Sequence, residues 1–278
     1  MKEDVLHIVR QVVKGHYNDS DTGRMEDMTE KILLLFNGGL EGYGRCDTYY
    51  HNLEHTLQVL DPYAGIIDGY NRMGRTPQIG YKYFELGIIA VLLHDTGYIK
   101  ECGDDSGTGG KYTFTHIDRS ISFAKSFLAN NCFSPQDIVS VSNMIQCTGL
   151  IERFSNISFT SEEERICGYA LGTADLVGQM SAHDYPEKLM GLYKEFKEGY
   201  DHDGIDKLRE RGVMVFESAE DLLKKTNGFY EFVVKKRFKE MGSLDECLKY
   251  HFPDNRNRYQ EAIEKNLEDI RRWVEGKE

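Results

Sequence analysis

Four of the nine histidines fall within residues 51–116, each in company that could do chemistry. In Tyr50-His51-Asn52-Leu53-Glu54-His55 two imidazoles stand four residues apart at a helix start, so a helical turn there puts them on one face. His94-Asp95 ends the most apolar stretch of the chain. Neighbouring helical positions diverge by about 100°, so both side chains reach one point only where the helix stops, and Thr96-Gly97 supplies that stop. An aspartate in such surroundings is costly unless it is paired or bound to a metal. Asp175 lies mid-helix within 168–177, on the face that also carries Gly168, Gly172 and Gln179. Small residues one and two turns before a carboxylate let another helix, or a metal cluster, come close to the backbone. Two imidazoles and two carboxylates suit a divalent ion of borderline hardness: Zn, Mn, Fe, Ni or Co. Mg fits a second position only if water fills most of its shell.

The elements that must hold these residues are helices. Apolar positions recur at helical spacing, and no convincing alternating strand appears. Helices are expected over 3–14 and 24–36, then from an Asn52 cap with Leu53, Leu57 and Leu60 inward, and over 81–94, which is apolar on most sides and therefore buried. Asp61-Pro62 kinks or restarts the second of these segments. Further helices are expected over 117–130, over 135–147 behind a Ser134 cap, and from a Ser161-x-x-Glu164 capping box to 179. Helical patterns also occupy 185–198, 205–211, 217–239 and 256–275. Along 185–196, Tyr185, Leu189, Leu192 and Phe196 form a core stripe; Asp184, Glu187, Lys188 and Glu195 read as its solvated side. Glycine-rich 103–110 reads as a mobile connector or a lid. The fold class is all-α.

The ordered combination YHNLEH, LLHDTGY and TADL resembles the HD superfamily of metal-dependent phosphohydrolases. Its first segment is especially similar to the motif of class I cyclic nucleotide phosphodiesterases. The resemblance covers residues 45–180 and implies a helical HD-type bundle over 1–180, with 181–278 as a C-terminal helical extension packed on it and walling one side of the cleft. It implies His55, His94, Asp95 and Asp175 as metal ligands and His51 as proton donor to the departing oxygen, with Asp95 orienting the attacking water. Glu54 or Asp47 would hold the other nitrogen of His51. His116 resembles the single downstream histidine of small bacterial members, as a second-metal ligand, a phosphate contact or a loop residue. Lys111 and Arg119 flank it and read first as solvated charges, second as phosphate contacts. Two positions depart from the pattern: Tyr98 stands where the cyclic-nucleotide enzymes carry a histidine, and Gln146-Cys147 stands where other branches carry paired histidines.

The activity this resemblance implies is that of a phosphoric ester hydrolase acting on a small phosphorylated molecule, with cyclic nucleotides as the leading substrates. The alternatives are a nucleotide phosphomonoesterase and a non-catalytic HD sensor. Composition narrows the partners. With 34 basic and 46 acidic residues the net charge is −12, which opposes a duplex nucleic acid as partner. The longest apolar run, 86–93, is too short to cross a bilayer, and no signal-peptide pattern opens the chain. Six cysteines without regular spacing read as reduced thiols in a cytoplasmic protein.

Overall fold

The computed structural model describes residues 5–18, 20–149 and 154–276. The protein is an all-α bundle; among the described residues there is no strand, only an isolated bridge between Tyr43 and Glu101. The helix expected from residue 3 is seen as α1 (His7–His16), residues 3 and 4 lying outside the described ones. It is followed by α2 (Gly23–Phe36), α3 (Leu53–Gln58), α4 (Leu60–Arg72) and α5 (Tyr81–Leu93). Then come α6 (His116–Asn130), α7 (Pro135–Gln146), α8 (Glu162–Ser181) and α9 (Tyr185–Asp203). The C-terminal part holds α10 (Ile205–Glu210), α11 (Ala219–Phe229), α12 (Lys235–Glu240), α13 (Leu248–His251) and α14 (Arg258–Glu275).

The helix boundaries follow local chemistry. Asn52, Ser134 and Ser161 each stand in extended conformation, and their side-chain oxygens accept from the backbone N–H three residues on: His55, Asp137 and Glu164. The Glu164 carboxylate does not return to Ser161 as a closed capping box would. It is buried and takes hydrogen bonds from Ser140 Oγ (2.9 Å) and Asn143 Nδ2 (2.8 Å), pinning α8 to α7. The pattern over 217–239 is interrupted by a π-helical turn at Tyr230–Val234, an insertion that leaves the apolar period nearly unchanged.

Helix α5 is the axis of the core: Leu86, Ile88, Ile89, Val91, Leu92 and Leu93 are all buried, each stabilising by about 1.5–3 kcal/mol relative to an exposed side chain. Around it pack α2, α4, α7 and α8. The C-terminal helices lie against this bundle. Asn266 of α14 donates to Met180 O (2.8 Å) and Ala182 O (2.7 Å) at the end of α8, and α13 docks on α4. No helix among the described residues is long and apolar enough to cross a membrane.

Candidate metal centre

Three chain segments deliver the nominated side chains to one place, each by a helix end or a close helix contact. The Asn52 cap starts α3 at Leu53, so His51 precedes the helix while His55 lies in its first turn. The two imidazoles therefore meet edge to face, ring centroids 5.4 Å apart, rather than stacking along one helix face. Their approach is held from behind by Thr48, whose hydroxyl donates to His51 O at 2.6 Å. At the end of α5, His94 is still helical, whereas Asp95 has left the helix (φ −108°, ψ 7°) and a 3-10 turn, Thr96–Tyr98, follows. Gly97 is required there, because a Cβ would stand 1.9 Å from His116 O. Asp175 comes from α8, where Gly168 and Gly172 indeed admit another helix: their α-carbons face Cys147 at the end of α7.

The four atoms that converge are His55 Nε2, His94 Nε2, Asp95 Oδ2 and Asp175 Oδ1. Asp95 Oδ2 lies 3.4 Å from His55 and 3.2 Å from His94; Asp175 Oδ1 lies 3.1 Å and 3.8 Å from the same two nitrogens. Donors bound to a common ion at about 2.0–2.2 Å stand roughly 3–3.5 Å apart, and these four imidazole–carboxylate distances come near that spacing. Within 4.8 Å of one another the donors form two overlapping triads, His55 with His94 and Asp175, and His51 with His55 and Asp95. Burial sharpens the point. His55, His94 and Asp95 are almost wholly enclosed, and His94 Nε2 and Asp95 Oδ2 have no hydrogen-bond partner. Buried polar atoms are nearly always satisfied, so lone pairs left facing one another fit a cation. His94 is already oriented for it, since its Nδ1 is 2.7 Å from Val91 O and so carries the proton. Without a cation the same groups pair among themselves. Burial alone would neutralise both, yet mutual attraction prevails: Asp95 is held far below the usual carboxylate range and His94 is pushed up to about 9.

The second oxygen of Asp95 faces the other way, towards His116 Nε2 at 3.8 Å. His116 is fixed by its Nδ1, 2.7 Å from Thr113 O. Lys111 and Arg119 do not point into this space. Lys111 is buried, its ammonium clamped by Asp104 and by Ser106 O and Oγ (both 2.8 Å). Arg119 donates to Gly97 O (2.7 Å) and Ile99 O (3.1 Å) and lies 3.6 Å over the Tyr112 ring. Both cations tie down the 97–112 segment. The glycine-rich stretch is tied elsewhere too: Gly109 N donates to Asp47 Oδ1 (2.7 Å), and the Thr108 N–H and hydroxyl both reach Glu198. It is an anchored loop in this structure.

The expected holders of His51, Glu54 and Asp47, are both engaged elsewhere: Glu54 takes Lys188 (2.9 Å), and Asp47 takes Gly109 N and Lys100 (2.9 Å). The residue that holds His51 is Glu195 of α9, which the apolar stripe had placed on the solvated side of its helix. Its carboxylate is 0% exposed, with Oε2 2.6 Å from His51 Nδ1 and Oε1 accepting from the backbone N–H of Tyr50 (2.5 Å) and His51 (3.2 Å). Burial pushes His51 towards its neutral form, but this carboxylate more than reverses the effect and leaves the imidazole above the ordinary histidine value. Gly191 and Gly199, one turn either side of Glu195, let the backbone of Tyr49 and the ring of Phe114 close on α9. A glutamate between two such glycines was the available sequence signal for a buried carboxylate.

Residues 3–245 match the Npun_R2479-like family model. The chain belongs to the Npun_R2479-like family. No curated protein matches it in sequence. Among solved structures, this Npun_R2479-like chain is similar to the phosphodiesterase domain of the RhoPDE fusion protein from the choanoflagellate Salpingoeca rosetta. The TM-score is 0.59 at 14% identity, with 99% of this chain and 91% of that one covered. At that identity the likeness is one of fold, and it runs through the C-terminal helices as well as the bundle.

Proposed function

We propose that the protein is a metal-dependent phosphohydrolase of the HD type that cleaves a phosphodiester in a small molecule, with a cyclic nucleotide as the leading substrate. The observation that carries this reading is that the imidazoles of His55 and His94 each lie 3.1–3.8 Å from the carboxylates of both Asp95 and Asp175. These four residues would hold a divalent ion of the Zn, Mn, Fe, Ni or Co kind. When bound, such an ion supplies Lewis acidity, making water a nucleophile at neutral pH and polarising a phosphoryl oxygen. Asp95, with one oxygen in the ligand set and the other turned towards His116, orients the attacking water. His51 keeps its Nδ1 proton on Glu195 and gives a proton from Nε2 to the departing oxygen, a role worth about 10²–10⁴-fold. Glu195 acts through His51 and is a positioning residue.

Charge favours a diester over a monoester. Asp95, Asp175 and Glu195 already line the site, while Lys111 and Arg119 are spent on the neighbouring loop. A monoester near neutrality carries close to two negative charges and a diester one, so beyond what the ion neutralises the added charge meets these carboxylates with neither Lys111 nor Arg119 to match it. The six unpaired cysteines support a reducing, cytoplasmic compartment. Elemental analysis of protein purified without chelator tests the site first. Turnover of cyclic against linear nucleotides with Mn or Co then tests the chemistry. Metal-free protein that takes up no ion overturns the reading; phosphate release from monoesters alone replaces the diester with the monoester.

A further inference from the structure

Tyr98 stands three residues after Asp95, at the end of the 3-10 turn, with its N–H donating to Asp95 O at 3.1 Å. Its ring is buried and lies parallel to the His51 imidazole, centroids 4.5 Å apart and planes 7° apart. The same ring stands 4.5 Å from His116 at 21°. The bond from His51 Nδ1 to Glu195 restrains rotation about Cβ–Cγ at one edge of the imidazole but leaves the ring room to tilt. A parallel ring over its face removes this freedom.

We propose that Tyr98 is a positioning residue: an aromatic platform that sets the plane of His51, and with it the direction of Nε2, relative to the carboxylate three residues upstream. The proposal rests on the reading of His51 as proton donor. The platform is itself rigid. Gly97 before it is wedged against His116 O, and Gly109 packs on Tyr98 O so closely that a Cβ would stand 2.0 Å away. His116, held by Thr113 O, packs on the platform and cannot swing without disturbing it. One short turn thus couples a metal-ligand segment to the proton donor by packing.

The test is a comparison of leaving groups. Tyr98→Leu removes the ring and keeps the site apolar. It is expected to lower kcat roughly 10- to 100-fold on a diester with an alkoxide leaving group, KM and bound metal being unchanged. On a diester with a nitrophenolate leaving group, which departs without a proton, the same variant runs near the wild-type rate. Tyr98→Phe restores most of the loss, and in a His51→Ala background Tyr98→Leu costs nothing further. Equal loss with both leaving groups, or added loss without His51, overturns the proposal. If Tyr98→Leu does not fold, Tyr98→Met, whose unbranched chain fills irregular gaps, takes its place. A readout independent of turnover is the proton NMR shift of His51 Cε1–H, moved upfield by the stacked ring and expected to relax downfield in Tyr98→Leu. A shift that does not move refutes the platform, whereas a wild-type protein that cleaves neither diester refutes the functional reading instead.

Discussion

Replacing Glu195 by glutamine keeps the shape of the side chain and an oxygen for the Tyr50 and His51 N–H groups, but removes the charge 2.6 Å from His51 Nδ1. A hydrogen bond to a charged group contributes about 1.5–3 kcal/mol, and more so where, as here, the carboxylate is wholly enclosed. If proton donation limits turnover, that energy converts to roughly a 10- to 150-fold loss in kcat/KM. The sign with pH comes from the same contact. Glu195 raises the proton affinity of His51 against the effect of burial, so its loss lets the donor deprotonate at lower pH. The alkaline limb of the kcat/KM profile is therefore expected to move to lower pH in Glu195→Gln, the rate falling most in mildly alkaline buffer and recovering on acidification. The assay is a pH series on a diester with an alkoxide leaving group, with circular dichroism to check the fold. A variant with wild-type rate and an unmoved limb would refute the role of Glu195. Glu195→Ala is a cruder probe, because two buried N–H groups lose their acceptor at about 1–3 kcal/mol each.

His55→Ala removes one of the four converging donors and Asp175→Ala another, and metal content by elemental analysis should fall well below stoichiometric; full retention would mean the ion sits elsewhere. Gly97→Ala forces a Cβ to within 1.9 Å of His116 O, so α6 must shift. The variant should lose about 1–3 kcal/mol of stability in urea melts, and unchanged stability would show that the turn relaxes freely. Asp68 is buried and receives His16 Nε2 (2.7 Å), His251 Nδ1 (2.7 Å) and Arg72 Nε (2.9 Å), joining α1 and α13 to α4. Burial opposes its charge, but these partners hold it far below the usual carboxylate range. Its contribution is fully present above the unfolded carboxylate value, about 3.9, and is lost progressively as pH falls from there through its lower folded value. Asp68→Asn should cost about 3–5 kcal/mol at neutral pH and flatten the acid limb of the stability profile; a variant as acid-sensitive as wild type counts against the clasp.

Most of the helices were legible because their signals are local, whereas His55, His94, Asp95 and Asp175 could be nominated together only from three motifs standing in order. A cap is a serine or asparagine three residues before the N–H it serves, as at Asn52, Ser134 and Ser161. The His94-Asp95 pair needed only a helix that stops, and Gly97 shows in one residue why it stops there. Glu195 was not legible in the same way. It lies 144 residues from His51, and a carboxylate beside an apolar stripe is ordinarily solvated. What buries it is the close approach of Tyr49 to Gly191 and of Phe114 to Gly199, contacts between segments that no local period records. Lys111 and Arg119 carry the opposite lesson. They read first as solvated charges and second as phosphate contacts, yet Lys111 is buried and both are consumed in holding the loop that leads to His116. That consumption matters for the chemistry. Under the proposed function, with Lys111 and Arg119 spent on the scaffold, the charge of a phosphate ester would be met by the ion and by His51, which favours the less anionic diester as the expected substrate.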